Sequence, residues 1–433
     1  MTDAALGAWR QSFSPSRTLW LIGLGVAVSL LGDVSLYVVL PTHTRQAGIA
    51  LSDVGLMLSA NRLIRIFLNS PYGVLVERIP RRRMMVPSLL VGGLSSLLYT
   101  VPGFWPLLTG RLLWGTAWAG IWLGGSTAVL DISTDENRGR FIGRYQMWYF
   151  IGGGGSALLG GVLTDWLGYV AAFRVCAAVT LGMALAWWLF LPETRPQPSA
   201  LPSNPDSAGP ERQPSPSNPE IRVRPLRWIP LGTAVLLLGL NWLIFLGIIG
   251  ATLPLLLEER IGETVVIIGL LIPLASFTGI LSAAMQIISL LTSPLAGWLS
   301  DMGGNRWRLV VFALVVGVAA LAATATGSGI VVVAAIMTSA VATSVLQTQV
   351  MTLTGDYTDR NRRGRVLGVL NTVGDLGSAA GPLLAYALIP LIDLSGVFWA
   401  AAIVLALAFP WTLWVARRET RQGQALTPSM HRV

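Results

Sequence analysis

Five charged side chains inside long apolar stretches are the residues of this sequence best suited to chemistry. They are Asp33, Arg62, Arg65, Arg111 and Asp375. A charge within a membrane is costly, so it requires a counter-charge or water and marks a candidate functional site. A dry environment raises the pKa of a carboxylate and a nearby arginine lowers it, so a carboxylate can exchange a proton as its surroundings change. The predicted chemistry is therefore proton exchange and ion pairing.

Two of these residues lie at similar depths in successive apolar segments. At a rise of about 1.5 Å per helical residue, Asp33 and Arg62 are each about 12–15 Å from the same side. The sequence predicts an ion pair between them, serving either as a proton-accepting site or as a structural link. Arg62 also shares one helix face with Arg65 and Asn69, at spacings i, i+3 and i+7.

The elements that position these residues are predicted to be membrane helices. Of 433 residues, 53% are hydrophobic and 12% charged, with mean hydropathy +0.64, whereas soluble domains carry about 25% charged residues. Since one span needs about 20 apolar residues, the sequence predicts an all-α polytopic membrane protein with twelve transmembrane helices. The predicted helices are 19–40, 53–76, 85–104, 107–130, 141–163, 170–191, 229–257, 276–299, 308–326, 330–353, 366–390 and 396–416.

Two stretches of the chain recur at nearly one offset. The stretch around Gly73 returns around Gly297, 224 positions later, and Asp131–Gly143 returns as Asp356–Gly368, 225 positions later. A shared offset indicates a duplicated half. Six helices per half give the halves the same orientation, related by an axis along the membrane normal.

The distribution of arginine predicts the orientation. All 30 basic residues are arginine, and 24 of them lie in the tails and in alternate loops on one side. The opposite loops hold only Arg45 and Arg260, so both termini are predicted to be cytoplasmic. Residues 192–227, rich in proline, serine and asparagine, are predicted to form a disordered cytoplasmic linker. The predicted units are 1–191, 192–227, 228–416 and a tail at 417–433.

One apolar run does not fit this pattern. Between Glu263 and Asp301 it is too long for a single span, and alignment of the halves places an insertion of about 11 residues there. Val265–Ala275 is predicted to be an extracellular extension or an interfacial helix.

The stretch around Gly73 resembles the loop signature of the major facilitator superfamily, G-x-L-x-D-R-x-G-R-R, and a looser copy stands one half-length later. Glu77 replaces the usual aspartate and Pro80 the usual glycine. The resemblance covers nearly the whole chain and implies alternating access between two halves, with these loops as gates. The gating residues so implied are Gly73, Glu77, Arg78, Arg81, Gly297, Asp301 and Arg306.

Two further segments resemble signatures of the same family. Arg111–Gly115 resembles the helix-4 signature, which implicates Arg111 in proton coupling, although an arginine extending to the membrane surface is the alternative. Gly155, Gly160 and Gly161 match the exporter signature of helix 5, but Ser156 replaces its proline. Tight packing of small residues explains that helix equally well.

The family architecture also implies that helices 2 and 11 are neighbours where the halves meet. Arg65 and Asp375 each lie about 18 Å from one end of these helices. A cross-half ion pair is therefore predicted, and the alternative is that each charge pairs within its own half.

Aromatic and amide side chains in the helices expected to line a central cavity predict a site for an amphipathic or cationic organic solute. The candidates are Trp114, Tyr145, Gln146, Tyr149, Asn241, Gln286, Gln347 and Asn371.

The sequence as a whole predicts a secondary active transporter of a prokaryotic plasma membrane that exports a small organic solute in exchange for protons. Proton-coupled uptake, or a non-transporting channel or sensor, are the alternatives. The predicted monomer needs no cofactor, metal or nucleic acid; one cysteine and two histidines are too few for a metal site. A membrane enzyme would need clustered ligands that are not seen, and a chain without lysine cannot form the nucleotide-binding loop of a pump.

Overall fold

The computed structural model describes residues 14–134, 137–195, 228–267, 269–303, 306–358 and 363–425. Most of these residues are helical. Residues 196–227, nearly all of the predicted linker, lie outside the described residues, as does the tail beyond residue 425.

The helices of the N-terminal half coincide with the six predicted segments, with one additional short helix. They are α1 (Pro15–Val39), α2 (Thr44–Ala47), α3 (Leu51–Arg78), α4 (Arg81–Leu98), α5 (Phe104–Asp131), α6 (Arg138–Leu167) and α7 (Tyr169–Phe190). The Ser14 hydroxyl caps α1 by accepting from the Arg17 N–H. Gly168, at φ 80°, turns the chain between α6 and α7, a conformation open to glycine because it has no Cβ.

The C-terminal half contains helices with two irregularities. Its helices are α8 (Trp228–Asn241), α9 (Gly250–Ile261), α10 (Leu274–Gly303), α11 (Arg306–Thr326), α12 (Ile330–Tyr357) and α13 (Arg363–Ala425). A π-helical stretch, Trp242–Ile249, joins α8 to α9. Asp393, at φ 57° and ψ 179°, interrupts α13, so this element corresponds to the last two predicted helices.

Seven segments among the described residues are long and apolar enough to cross a membrane. Two of them, α1 and α7, belong to the N-terminal half, and five belong to the C-terminal half. Arginines, glycines and tryptophans make α3 to α6 less apolar. The prediction of a multi-pass helical membrane protein is confirmed, whereas the number of twelve spans stays a prediction.

The segment predicted as an insertion forms a β-hairpin, so the interfacial helix proposed for Val265–Ala275 is wrong. Strands β1 (Thr264–Ile267) and β2 (Leu270–Pro273) pair antiparallel. The β-branched residues of β1 favour a strand, and Gly269 occupies the turn at φ 79°.

Buried apolar side chains form two clusters. One, which includes Leu19 and Trp187, lies in the N-terminal half. The other joins the halves and includes Met57 and Phe173 from the first half with Phe277 from the second. The two halves thus share an apolar core.

Candidate functional site

The first charged contact of the site lies within the N-terminal half. Arg111 of α5 binds Asp33 of α1, with 2.5 Å between a guanidinium nitrogen and a carboxylate oxygen. The Arg111 side chain is 0% exposed, and it also donates to the carbonyl oxygens of Met57 at 2.8 Å and Leu58 at 3.4 Å. The Asn61 amide donates to the same Asp33 oxygen at 3.0 Å. Hydrogen bonds of this kind are what a buried ion pair requires to offset its desolvation.

Close helix packing brings Arg111 to this position. Gly115 faces the backbone of α3, and a Cβ there would lie 2.3 Å from the Asn61 carbonyl oxygen. A glycine is needed for α5 to approach α3 so closely, which lets the Arg111 guanidinium reach the carbonyl groups of α3. Arg111 is buried inside the half, so its interpretation as an arginine extending to the membrane surface is wrong.

Arg62 does not bind Asp33, and the predicted Asp33–Arg62 pair is also wrong. Arg62 donates instead to the Ser378 carbonyl oxygen of α13, at 2.8 Å. The estimate of equal depth did not fix the partner, because Arg62 lies on the side of α3 that faces the other half. The Asp33 carboxylate is bound instead by Arg111 of α5.

Tyr37, one turn beyond Asp33 on α1, contacts both arginines. Its ring centroid lies 5.1 Å from the Arg62 guanidinium carbon and 5.4 Å from that of Arg111. Its hydroxyl donates to the Leu58 carbonyl oxygen at 2.6 Å. Sequence reasoning missed this residue, although its i+4 spacing from Asp33 places both on one helix face. Tyr37 physically links the buried ion pair to the arginine that reaches the other half.

The second ion pair crosses between the halves. Arg65 of α3 binds Asp375 of α13 at 2.5 Å, and the Asn69 amide donates to the second Asp375 oxygen at 3.2 Å. The side chains are 15% and 10% exposed, respectively. The predicted cross-half pair is confirmed, and the alternative of separate pairing within each half is wrong.

These contacts belong to a continuous seam between α3 and α13. The Ser59 hydroxyl donates to the Ala379 carbonyl oxygen at 2.6 Å. One turn earlier, a Cβ on Gly55 would lie 2.8 Å from the Pro382 carbonyl oxygen. The face of α3 from Gly55 to Asn69 therefore packs against the opposite half.

A second seam joins α6 to α10. A Cβ on Gly161 would lie 2.1 Å from the Ala275 carbonyl oxygen, and one on Gly279 would lie 2.4 Å from the Ala157 carbonyl oxygen. The Asp165 carboxylate accepts a 2.7 Å hydrogen bond from the Ser276 N–H, at the start of α10. The small residues of α6, the fifth predicted helix, thus allow the two halves to contact each other closely.

The two ends of the bundle differ. Both seams are tight at the end where α3 and α10 begin. At the arginine-rich end, positions Gly73, Gly143 and Gly297 have no heavy atom within 4 Å of a Cβ placed there. The contacts between the halves described above therefore lie toward one end, and a side chain at any of these three glycines would meet no neighbour.

The residues predicted as gates make contacts within their own halves in this conformation. Arg81 binds Asp131 at 3.0 Å, and Arg306, 225 positions after Arg81, binds Asp356 at 3.0 Å. Arg306 also lies 3.6 Å from Asp301. These pairs repeat at the 225-residue offset, so the duplication extends to side-chain contacts.

Sequence reasoning missed two residues that hold the α3–α4 turn. Glu193 accepts from the backbone N–H groups of Arg81 at 2.9 Å and Arg82 at 3.2 Å. Arg195 donates to the carbonyl oxygens of Arg78 and Glu77 at 2.7 and 2.8 Å. A repeat would have revealed them, since the Glu-Thr-Arg at 193–195 returns at 419–421.

The eight cavity candidates divide by burial. Trp114, Tyr145 and Asn241 are at most 2% exposed and pack between helices, so their assignment to an open cavity is corrected. Asn241, for example, accepts a hydrogen bond from Thr343 at 2.9 Å. The partly buried candidates are Gln146, Tyr149 and Gln286, and the exposed ones are Gln347 and Asn371.

Tyr149 is the best placed of these candidates. Its ring lies 5.3 Å from Trp122 and 6.0 Å from Trp118. Aromatic faces of this kind can bind an organic cation.

Known proteins resemble this chain in sequence and in fold. The family model described as Major Facilitator Superfamily matches residues 22–285 and 274–429. The inner membrane transport proteins YnfM and YajR of Escherichia coli (strain K12) are 29% and 27% identical over 182 and 181 residues, which are 41% and 40% of this chain. The matched regions cover 43% and 38% of those relatives, less than half of their length.

Solved structures share the fold. A bacterial homologue of the human lysosomal transporter Spinster, in an inward-facing and occupied conformation, gives a TM-score of 0.76 at 16% identity, covering 93% of this chain and 97% of that one. The human organic anion transporter MFSD10 (TETRAN) gives 0.63 at 19% identity, covering 92% and 99%. The family match spans nearly the whole chain, and so this protein belongs to the Major Facilitator Superfamily of membrane transporters.

Proposed function

We propose that this protein exports a small organic cation by alternating access, in exchange for protons. The observation that carries the proposal is the connection from Asp33 to the seam. The buried Asp33–Arg111 pair contacts Tyr37, Tyr37 contacts Arg62, and Arg62 binds the Ser378 carbonyl of the other half. A change of charge at Asp33 would therefore affect the Arg62–Ser378 hydrogen bond, which must break for the closed end to open.

The chemistry of the coupling follows from the charges. While Asp33 is ionised, it neutralises Arg111, and Arg62 remains over the Tyr37 ring. Protonation of Asp33 removes the negative charge and leaves two guanidinium groups on one ring. Like charges repel strongly at such distances in a dry site. Arg62, which is the less enclosed of the two, then leaves Ser378, and the seam weakens.

Competition for negative charge makes this arrangement an exchanger. A cationic solute beside Tyr149 would be attracted by the carboxylates of Asp33 and Asp375, and a proton on either would weaken that attraction. The solute and the proton thus exclude each other, which favours antiport over symport.

The Arg65–Asp375 pair, which joins the two halves of the protein, supplies the other part of the mechanism. Separating Arg65 from Asp375 in a dry site would leave two uncompensated charges, so water or solute must enter as the seam opens. Opening is thereby coupled to loading. The arginine-rich end is proposed to face the cytoplasm, with both termini on that side of the plasma membrane. Reporter fusions at Pro219 and Val433 test this orientation, and an extracellular signal from either would contradict it.

The function is tested in proteoliposomes that carry an imposed pH gradient and a panel of radiolabelled organic cations. The proposal expects accumulation opposite to proton flow, and it expects Asp33→Asn to abolish accumulation while leaving solute exchange largely intact. Arg174→Gln, a change at an exposed arginine of α7, is the matched control. Accumulation in the direction of proton flow would favour uptake by symport. Equilibration without accumulation would indicate a channel, and accumulation by Asp33→Asn would make Asp33 a structural residue.

A further inference from the structure

A groove of about 400 Å³ lies on the outside of the C-terminal half, between the start of α11 and the end of α13. Its lining combines three arginines with a threonine and three apolar side chains. The lining residues are Arg308, Val311, Leu413, Ala416, Arg417, Thr420 and Arg421.

The groove has a basic rim and an apolar floor. Arg417 and Arg421 are one turn apart on α13, and Leu413 lies one further turn inward. On α11, Arg308 lies in the first turn and Val311 about one turn inward. On both helices, the lining side chains change from arginine to apolar with increasing distance from this end of the bundle.

The three arginines are not ion-paired within the described residues. None of Arg308, Arg417 and Arg421 forms an ion pair with a carboxylate among the residues that the structure describes. Glu419, on the same helix, accepts a 2.8 Å hydrogen bond from the Tyr357 hydroxyl. Like charges one turn apart on a helix repel each other. An anion in the groove would relieve that repulsion.

We propose that this groove binds an anionic phospholipid, with the headgroup phosphate on Arg308, Arg417 and Arg421 and an acyl chain along Val311, Leu413 and Ala416. The planar guanidinium group presents paired N–H donors that match phosphate oxygens. The apolar floor favours a lipid over a soluble phosphate. This proposal goes beyond the transport mechanism and depends only on membrane embedding.

A second groove provides an internal control. It lies between α1 and α7, with Ser14, Ser16, Arg17, Trp20 and Phe190 among its lining residues. It has the same order of polar rim and apolar wall but a single arginine. If three convergent guanidinium groups define the site, then Arg17 should contribute little to lipid selectivity.

The test is native mass spectrometry of the delipidated full chain with dioleoylphosphatidylglycerol or dioleoylphosphatidylcholine. The wild-type protein should retain one phosphatidylglycerol at least about tenfold more tightly than phosphatidylcholine. Both lipids carry a phosphate, but the quaternary ammonium group of choline is repelled by the three guanidinium groups, whereas the glycerol headgroup adds no positive charge. The triple variant Arg308→Gln, Arg417→Gln, Arg421→Gln should lose that preference, whereas Arg17→Gln and Arg418→Gln should keep it. Arg418 stacks on Trp414, 5.5 Å from the ring centroid, and is not part of the groove.

Three results would overturn the proposal. They are equal retention of the two lipids by the wild-type protein, an equal loss of preference in Arg17→Gln, and displacement of the lipid by an equal concentration of inorganic phosphate. The first comparison needs no variant, so a folding defect in the triple variant cannot rescue the proposal. The triple Arg→Lys variant, which preserves the charge, should regain part of the preference.

Discussion

The two ion pairs at the centre of this protein have similar chemistry and different surroundings. Asp33–Arg111 is enclosed within one half, where Arg111 is 0% exposed and also binds two carbonyl groups of α3. Arg65–Asp375 crosses the seam, and its arginine is 15% exposed. An enclosed pair is suited to store a proton-dependent charge, whereas a seam pair is suited to form and break as the halves move. In the proposed mechanism, burial and connectivity, rather than residue type, separate the coupling pair from the gating pair.

The largest effect should come from removing only one partner of the enclosed Asp33–Arg111 pair. Arg111→Gln leaves Asp33 buried without its cation, and we expect a loss of about 3–5 kcal/mol in stability. Thermal unfolding in detergent measures it. The double variant Asp33→Asn, Arg111→Gln should recover part of the loss because no unpaired charge remains. A double variant less stable than Arg111→Gln alone would show that the pair is not the source of the effect.

The next effect tests the seam pair by charge exchange. Arg65→Asp and Asp375→Arg should each reduce solute transport by about tenfold or more, since each places like charges together in a poorly solvated site. The double exchange should restore part of the activity, because the pair is rebuilt in reverse. Equal stability of all three variants in the membrane would be the control. No recovery in the double variant would exclude a gating role for the pair.

A smaller effect is expected where the halves touch without charge. Gly161→Ala would place a methyl group against the Ala275 carbonyl oxygen, at 2.1 Å before relaxation. We expect it to disfavour the closed end and to increase the labelling of a cysteine introduced there. Gly155→Ala is the matched control, because that position of the same helix has no neighbour within 4 Å. Equal labelling of the two variants would contradict a tight seam at α6.

The smallest effect should come from the hydroxyl of Tyr37. Tyr37→Phe keeps the ring between the arginines but removes the bond to Leu58, at an expected cost of about 0.5–1.5 kcal/mol in stability. Transport coupling should persist in Tyr37→Phe and weaken in Tyr37→Leu, which has no ring. A ratio of protons to solute that is identical in both variants would remove Tyr37 from the connection.

Much of the fold was predictable because apolar length, arginine distribution and a repeat offset are properties of the sequence. Depth was predictable too: Arg65 lies thirteen residues from the end of α3, Asp375 lies twelve residues from the start of α13, and the two side chains do meet. Partners within a half were not predictable, because Arg62 and Arg111 lie at comparable depths and only the rotation of each helix decides which one reaches Asp33. The β-hairpin was missed since an apolar run of that length is compatible with an interfacial helix.

Protonation of Asp33 is proposed to loosen the closed end, and a distance measurement as a function of pH tests this without knowledge of the solute. Spin labels at Leu51 and Leu391, both exposed, would report separation of α3 from α13 in a Cys176→Ser background. In the otherwise unmodified protein, longer distances should become populated as the pH falls. Asp33→Asn should show that longer distribution at every pH. A pH-dependent shift that persists unchanged in Asp33→Asn would contradict the account.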